Sequence, residues 1–212
     1  MISNGTQQTI RVFVTKYPIG VSSYYLPLTR RAEIDDCKDE TVRQRKYYAF
    51  KLLELALNLV YSKLMRDVSF EKKPSGKWAC DVCEFSISHC NDIVAVAVSD
   101  KPVGVDVELN DVSRFDERMQ QRIFCKNEQN AAWQMSSEQR AVYANRLWTV
   151  KEAVFKRDEG TAFVPSAIDS TLTACETVTI SDGGKRYYLS TAGQSGGKIE
   201  YHAQRVVVDK TP

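Results

Sequence analysis

Gly104-Val105-Asp106-Val107-Glu108-Leu109 is the stretch on which the reading of this chain turns. Side chains alternate along a strand, so Asp106 and Glu108 share one face while Val105, Val107 and Leu109 share the other. Two carboxylates roughly 7 Å apart on one face repel unless something positive lies between them. Two readings are open. The acids form the solvated face of a half-exposed antiparallel strand, or they hold a hard divalent cation through oxygen ligands.

Outward from that strand the pattern is mixed. Upstream, Ile93 to Ser99 (IVAVAVS) reads as a strand, with Ser99-Asp100-Lys101-Pro102 as the turn into Val103 to Leu109. Thr9 to Lys16 (TIRVFVTK) alternates and reads as a first strand. Asp39 to Arg66 reads as a long helix. Its apolar stripe runs through Ala49, Leu52, Leu53, Ala56, Val60 and Leu64, with Arg45 one turn before it. EKKPSGKW (71–78) reads as a loop. Downstream, Ser113 to Trp133 is helical in pattern. A second helix runs from Ser137 to about Arg157, opened by the capping box Ser136-Ser137-Glu138-Gln139 and followed by Gly160. The tail from Ser170 to Val208 alternates in runs broken by glycine-rich turns, which reads as strands. The order predicts α/β or α+β layering.

Composition narrows the classes. The chain has 212 residues, 43% hydrophobic and 26% charged, as in an ordinary globular protein. A net charge of +2 provides no bulk field for nucleic acid or a membrane surface. The apolar run Ile93 to Val98 is far too short to span a bilayer. The first residues, MISNGTQQTIRVFVTK, lack the basic start, apolar stretch and cleavage site of a signal peptide. Cysteines 37, 80, 83, 90, 125 and 175 are irregularly spaced, which fits reduced thiols in a cytoplasm better than a disulfide framework. Cys80-Asp81-Val82-Cys83 is a CxxC without a second pair, weak support for a four-ligand zinc site.

Two further stretches carry chemistry. In Trp148-Thr149-Val150-Lys151-Glu152-Ala153-Val154-Phe155-Lys156, helical spacing puts Trp148, Glu152 and Phe155 on one face, with Lys156 one turn beyond Glu152. Glu152 is therefore either half of a surface pair with Lys156 or an acid held near a metal or a base. FSISHC (85–90) contains His89, which by itself reads as a satisfied core histidine.

Together, GVDVE and the later WTVKEAVFK resemble the signature of Sfp-type phosphopantetheinyl transferases, a G-[IV]-D-[IV]-E strand followed by a W-x-x-K-E-A-x-x-K helix. Ser88-His89 resembles the family's S-H element, Gly76-Lys77 its Gly-Lys-Pro loop with Trp78 in place of proline, and Arg45 its early basic residue. The resemblance covers roughly residues 30 to 160. Ser86 stands where the family commonly has asparagine, and Cys90 where it has serine.

That resemblance implies a fold and an activity. The fold would be two similar α/β halves packed as a pseudo-dimer, each a small mainly antiparallel sheet with a long helix, residues 1–103 and 104–212. The activity would be Mg²⁺-dependent transfer of phosphopantetheine from coenzyme A to a serine of an apo acyl or peptidyl carrier protein, releasing adenosine 3',5'-bisphosphate. Asp106, Glu108 and Glu152 would hold the metal. Glu152 would be the base, with Glu128 of the IFCKNE stretch (123–128) the second choice. Lys156 would neutralise the leaving phosphate, and Lys151 would add charge nearby. Arg31, with Arg30 and Arg43 as rivals, Arg45, Lys77, Ser88 and His89 would hold coenzyme A, together with Asp106, Lys151 and Lys156. A cytoplasmic monomer is expected. A coenzyme A-binding protein and a metal-dependent phosphodiesterase without carrier modification are the alternatives.

Overall fold

A computed structural model describes residues 7–20 and 25–210. In chain order they form β1 (Thr9–Lys16), α1 (Leu28–Asp35), α2 (Glu40–Tyr61), β2 (Phe70–Lys72), β3 (Trp78–Cys80), β4 (Glu84–Cys90), β5 (Ile93–Ser99) and β6 (Gly104–Leu109). Then follow α3 (Glu117–Ile123), α4 (Lys126–Ala132), α5 (Ser137–Asp158), β7 (Cys175–Asp182), β8 (Lys185–Ala192), β9 (Lys198–Gln204) and β10 (Val207–Asp209). The mixed α+β class expected from the sequence is the class observed. No helix among the described residues is long and apolar enough to cross a membrane.

Two four-stranded sheets stack between two long helices. The first runs β4-β5-β1-β9 and the second β10-β7-β8-β6. Alternation supplies both faces of the first sheet. Val12, Val14, Ala95 and Ala97 point to the second sheet, where Val105, Val107, Val178, Ile180 and Leu189 meet them. Phe13, Val94, Val96 and Val98 point the other way, against Leu53, Ala56 and Leu57 of α2. β5 is buried along its whole length, which is why its sequence is a continuous apolar run rather than an alternation. β9 pairs in parallel with β1, so a late segment completes the first sheet.

Several expected boundaries move for identifiable reasons. α2 is capped by Asp39, whose carboxylate accepts from Thr41 N and Val42 N. It stops at Tyr61, short of Arg66, because Ser62 adopts a left-handed conformation (φ 53°) and closes the last turn onto Asn58 O. The helical stretch 113–133 is broken in two: Phe124 is extended, and Cys125 starts a new helix with Glu128 folded back onto its N–H. Residues 71–78 are not all loop, since β2 and β3 pair across the turn. The Ser99–Pro102 segment is not a hairpin turn. β6 pairs with β8 and β5 with β4 and β1, so this segment carries the chain from one sheet to the other.

That crossing creates the junction on which the site is built. β4 and β6 are edge strands of different sheets. The N–H groups of Val105, Val107 and Leu109 are received by side chains of the facing strand: Ser86 Oγ (3.0 Å), Ser88 Oγ (3.2 Å) and Cys90 Sγ (3.3 Å). Donors that an edge strand would otherwise leave orphaned in the interior are thus satisfied.

Candidate active site

Gly104 lets β6 lie directly against α5. A Cβ there would stand 1.8 Å from Ala153 O and 2.7 Å from Arg157 N, so no side chain fits. Two residues on, Asp106 faces the same helix and is 2% exposed, which excludes the solvated-face reading. Its Oδ1 accepts from Lys156 Nζ at 2.6 Å and from Ser88 Oγ at 2.8 Å. Its Oδ2 is buried and has no protein partner. Lys156 Nζ also lies 3.6 Å from Glu152 Oε2 and 3.3 Å from Ser88 Oγ. Glu108, next along the strand face, pairs with Arg114 at 3.1 Å at the rim.

The cluster is over-supplied with negative charge. Burial, then the charge of Asp106, push Glu152 up to about 7 against the opposing pull of Lys156. Burial and Asp106 likewise raise Glu108, with Arg114 and Lys156 opposing. Burial disfavours the charge of Lys156, but Asp106, Glu152 and Glu108 outweigh it and hold the ammonium above its ordinary pKa. Three carboxylates around one ammonium, one of them with an unpartnered buried oxygen, suit a hard cation that takes oxygen ligands and keeps waters.

A cleft of about 270 Å³ opens beside this cluster, between β3–β4 and the end of α5; Arg30, Lys77, Trp78, His89, Phe155 and Lys156 line it. Gly76, at φ 85°, makes the turn that presents Lys77. Lys77 Nζ donates to Lys156 O at 3.1 Å, and Lys73 and Lys77 both pair with Glu159 at the end of α5. His89 is exposed to the cleft. Partial desolvation there, then Lys156, Arg45 and Arg30, lower its pKa. A neutral imidazole among three cations is a place for an anion.

Residues 102–205 match the 4'-phosphopantetheinyl transferase superfamily model. That stretch, just under half of the chain, is similar to this superfamily. Over 108 residues the chain is 30% identical to 4'-phosphopantetheinyl transferase psf-1 of Bacillus pumilus, covering 50% of this chain and 46% of that protein. Over 102 residues it is 31% identical to 4'-phosphopantetheinyl transferase gsp of Aneurinibacillus migulanus, covering 47% and 41%. The matched stretches thus span less than half the length of these curated relatives.

The superfamily segment contains Asp106, Glu108, Glu128, Lys151, Glu152 and Lys156, while Arg30, Arg45, Lys77, Ser88 and His89 precede it. The structure brings Asp106, Glu108, Glu152, Lys156 and Ser88 together, with Lys77 and His89 at the adjoining cleft. Glu128 and Lys151 are placed elsewhere. Both side chains are fully buried, 2.6 Å apart, on another face of α5. Glu128 also accepts from Cys125 N and Ser170 N. Lys151 also donates to the carbonyls of Ile123, Pro165 and Ile168. This pair clamps α4, α5 and the 165–170 segment, which leaves Glu128 no access to a substrate proton. Ser88 is buried and its hydroxyl is used by Asp106 and Val107 N, so it positions Asp106 rather than facing the cleft.

Arg31 is exposed and does not line the cleft; Arg30 does. Arg30 lies over the Phe50 ring at 4.5 Å and pairs with Glu33 at 2.8 Å. The signal available in the sequence was its i,i+4 spacing to Ile34, the other buried residue of α1. Arg45 is held by Asn91 O at 2.9 Å, next to His89. Phe163, unremarked in the sequence, fills the space between Trp148 and Phe155, with ring centroids at 5.2 and 5.1 Å.

Among the described residues, the ligand atoms that all lie within 4.8 Å of one another belong to Cys125, Glu128 and Asp169, not to the acid cluster. That trio is poorly suited to a cation. Glu128 is already paired with Lys151, and Asp169 caps Thr171 N and receives Asn127. The Asp106 cluster is the better metal candidate because it retains an unpartnered oxygen and an excess of acid.

Proposed function

We propose that the protein transfers the phosphopantetheine arm of coenzyme A to a serine hydroxyl of an apo acyl or peptidyl carrier protein, with Mg²⁺ bound by Asp106, Glu108 and Glu152. The single observation that carries this reading is the buried, unpartnered Asp106 oxygen beside Glu152 and Lys156, at the edge of a cationic cleft. When bound, the divalent cation would offset the negative charge of the pyrophosphate oxygens.

The chain's own groups supply the rest. Arg30, Arg45, Lys77 and His89 would receive the phosphates of coenzyme A, since the three cations and the N–H donors of all four suit phosphate oxygens. Glu152, beside Asp106 and Lys156, would take the serine proton directly or through a water. The serine oxygen then bonds to the β-phosphorus. The bond from that phosphorus to the bridging oxygen breaks, and the bridging oxygen leaves on adenosine 3',5'-bisphosphate. Lys156, kept charged by Asp106 and Glu152, would counter charge on the departing phosphate.

The test is intact mass of apo carriers, one each from fatty-acid, polyketide and nonribosomal-peptide systems, incubated with coenzyme A and Mg²⁺. A gain of one phosphopantetheine on at least one carrier is expected. No gain on any carrier would defeat the reading. Coenzyme A cleaved without carrier modification would favour a phosphodiesterase, and coenzyme A bound but intact a binding protein.

A further inference from the structure

Cys80 and Cys83 have no part in the chemistry above, yet the fold holds them at the two ends of one short turn. Cys80 ends β3, and Cys83 immediately precedes β4. The turn between them is fixed by two bonds to Ser69: Asp81 N donates to Ser69 O at 3.3 Å, and Ser69 N to Asp81 Oδ1 at 3.1 Å. Cys80 Sγ donates to Cys83 O at 3.3 Å, so its sulfur is turned toward residue 83. Both cysteines are free and half-buried against the first-sheet core, on a turn whose Asp81 is exposed. No third ligand atom completes a metal group with them among the described residues.

We propose that Cys80 and Cys83 form a reversible dithiol–disulfide couple with low-molecular-weight disulfides. Cys80 is the attacking thiol. Hydrogen bonding to Cys83 lowers its pKa to about 7, with the Val82 and Cys83 backbone assisting and burial opposing. Cys83 is shifted the other way by the same bond and by burial, so it stays protonated until the second step. The Cys80 thiolate attacks one sulfur of glutathione disulfide, forming a mixed disulfide and releasing one glutathione thiolate. Cys83 then loses its proton to solvent and attacks the Cys80 sulfur, releasing the second glutathione. Two protein thiols give up two electrons and two protons, and one small disulfide leaves as two thiols. Closing the bond brings the two sulfurs to roughly 2.05 Å across one short turn, toward which the Cys80 sulfur already points. β3 also contains Trp78, which lines the cleft, so the couple lies two residues from the candidate cofactor surface.

The test uses the full chain with glutathione disulfide at pH 7, followed by intact mass and fragmentation of the peptide holding both cysteines. The expected product has lost two hydrogens, carries no glutathione, and is linked between 80 and 83. Dithiothreitol should return it to the starting mass. Cys83→Ser should instead trap one glutathione on Cys80. In the untreated protein Cys80 should be alkylated by iodoacetamide about five-fold faster than the other cysteines at pH 7. Thiols that remain free, or glutathione retained on both cysteines of the wild-type protein, would overturn the proposal. This readout does not depend on any transferase activity.

Discussion

Glu152→Gln should stabilise the metal-free protein at pH 8 while removing a candidate metal ligand. Glu152 is raised from 4.5 to about 7 in the folded protein, first by burial and then by Asp106. A folded-state pKa above the unfolded one means the native state binds the extra proton between those values. The associated stability is fully present below pH 4.5 and is lost as pH rises through about 7. At about 1.4 kcal/mol per pH unit, the ceiling is on the order of 3 kcal/mol. Glutamine removes the charge but also the 3.6 Å contact to Lys156, which returns up to ~1 kcal/mol. A net gain of about 1–3 kcal/mol corresponds to a Tm increase of roughly 2–10 °C for a chain of this size. Thermal unfolding in EDTA at pH 8 and pH 4 measures it. The variant should melt above wild type at pH 8 and level with it at pH 4. Added Mg²⁺ should raise the wild-type Tm and leave the variant unchanged, because only a ligand bound to the native state shifts the equilibrium. A variant that melts below wild type at pH 8, or shows the same difference at both pH values, would refute the charge-crowding argument.

Three other outcomes follow from the same geometry. Gly104→Ala, which places a Cβ 1.8 Å from Ala153 O, should cost at least about 3 kcal/mol in denaturant unfolding and weaken Mg²⁺ binding by displacing Asp106. Glu128→Gln leaves Lys151 charged and buried without its counter-ion, so stability should fall by about 3–5 kcal/mol; a stable variant with reduced carrier modification would instead make Glu128 a catalytic acid or base. His89→Ala should weaken coenzyme A binding in calorimetry and leave Mg²⁺ binding unchanged, since the imidazole faces the cleft and its cations rather than the acids.

The sequence was most legible where one local rule governs. The Ser136 cap, the α5 span and the alternation in β6 follow from local chemistry, and the residues that share a face on β6 and α5 end up in one cluster. It was least legible where a distant partner decides. Glu128 could pass for an exposed helix acid because the groups that bury it, Lys151 and Ser170, lie 23 and 42 residues away. The Ser99–Pro102 turn has hairpin chemistry, but β8, far downstream, takes β6 into the other sheet. Ser88 resembled a ligand contact, yet an edge-strand N–H group claims it, a demand visible only once β4 and β6 are known to face each other. Arg30 and Arg31 are indistinguishable in composition, and packing on Phe50 separates them.

Mn²⁺ binding, followed by electron paramagnetic resonance as a stand-in for Mg²⁺, reveals which acids hold the cation. Wild-type protein should bind one ion, Asp106→Asn should lose it, and Asp169→Asn should keep it. Retained binding in Asp106→Asn, or binding lost only in Asp169→Asn, would contradict the assignment of the acid cluster as the metal site.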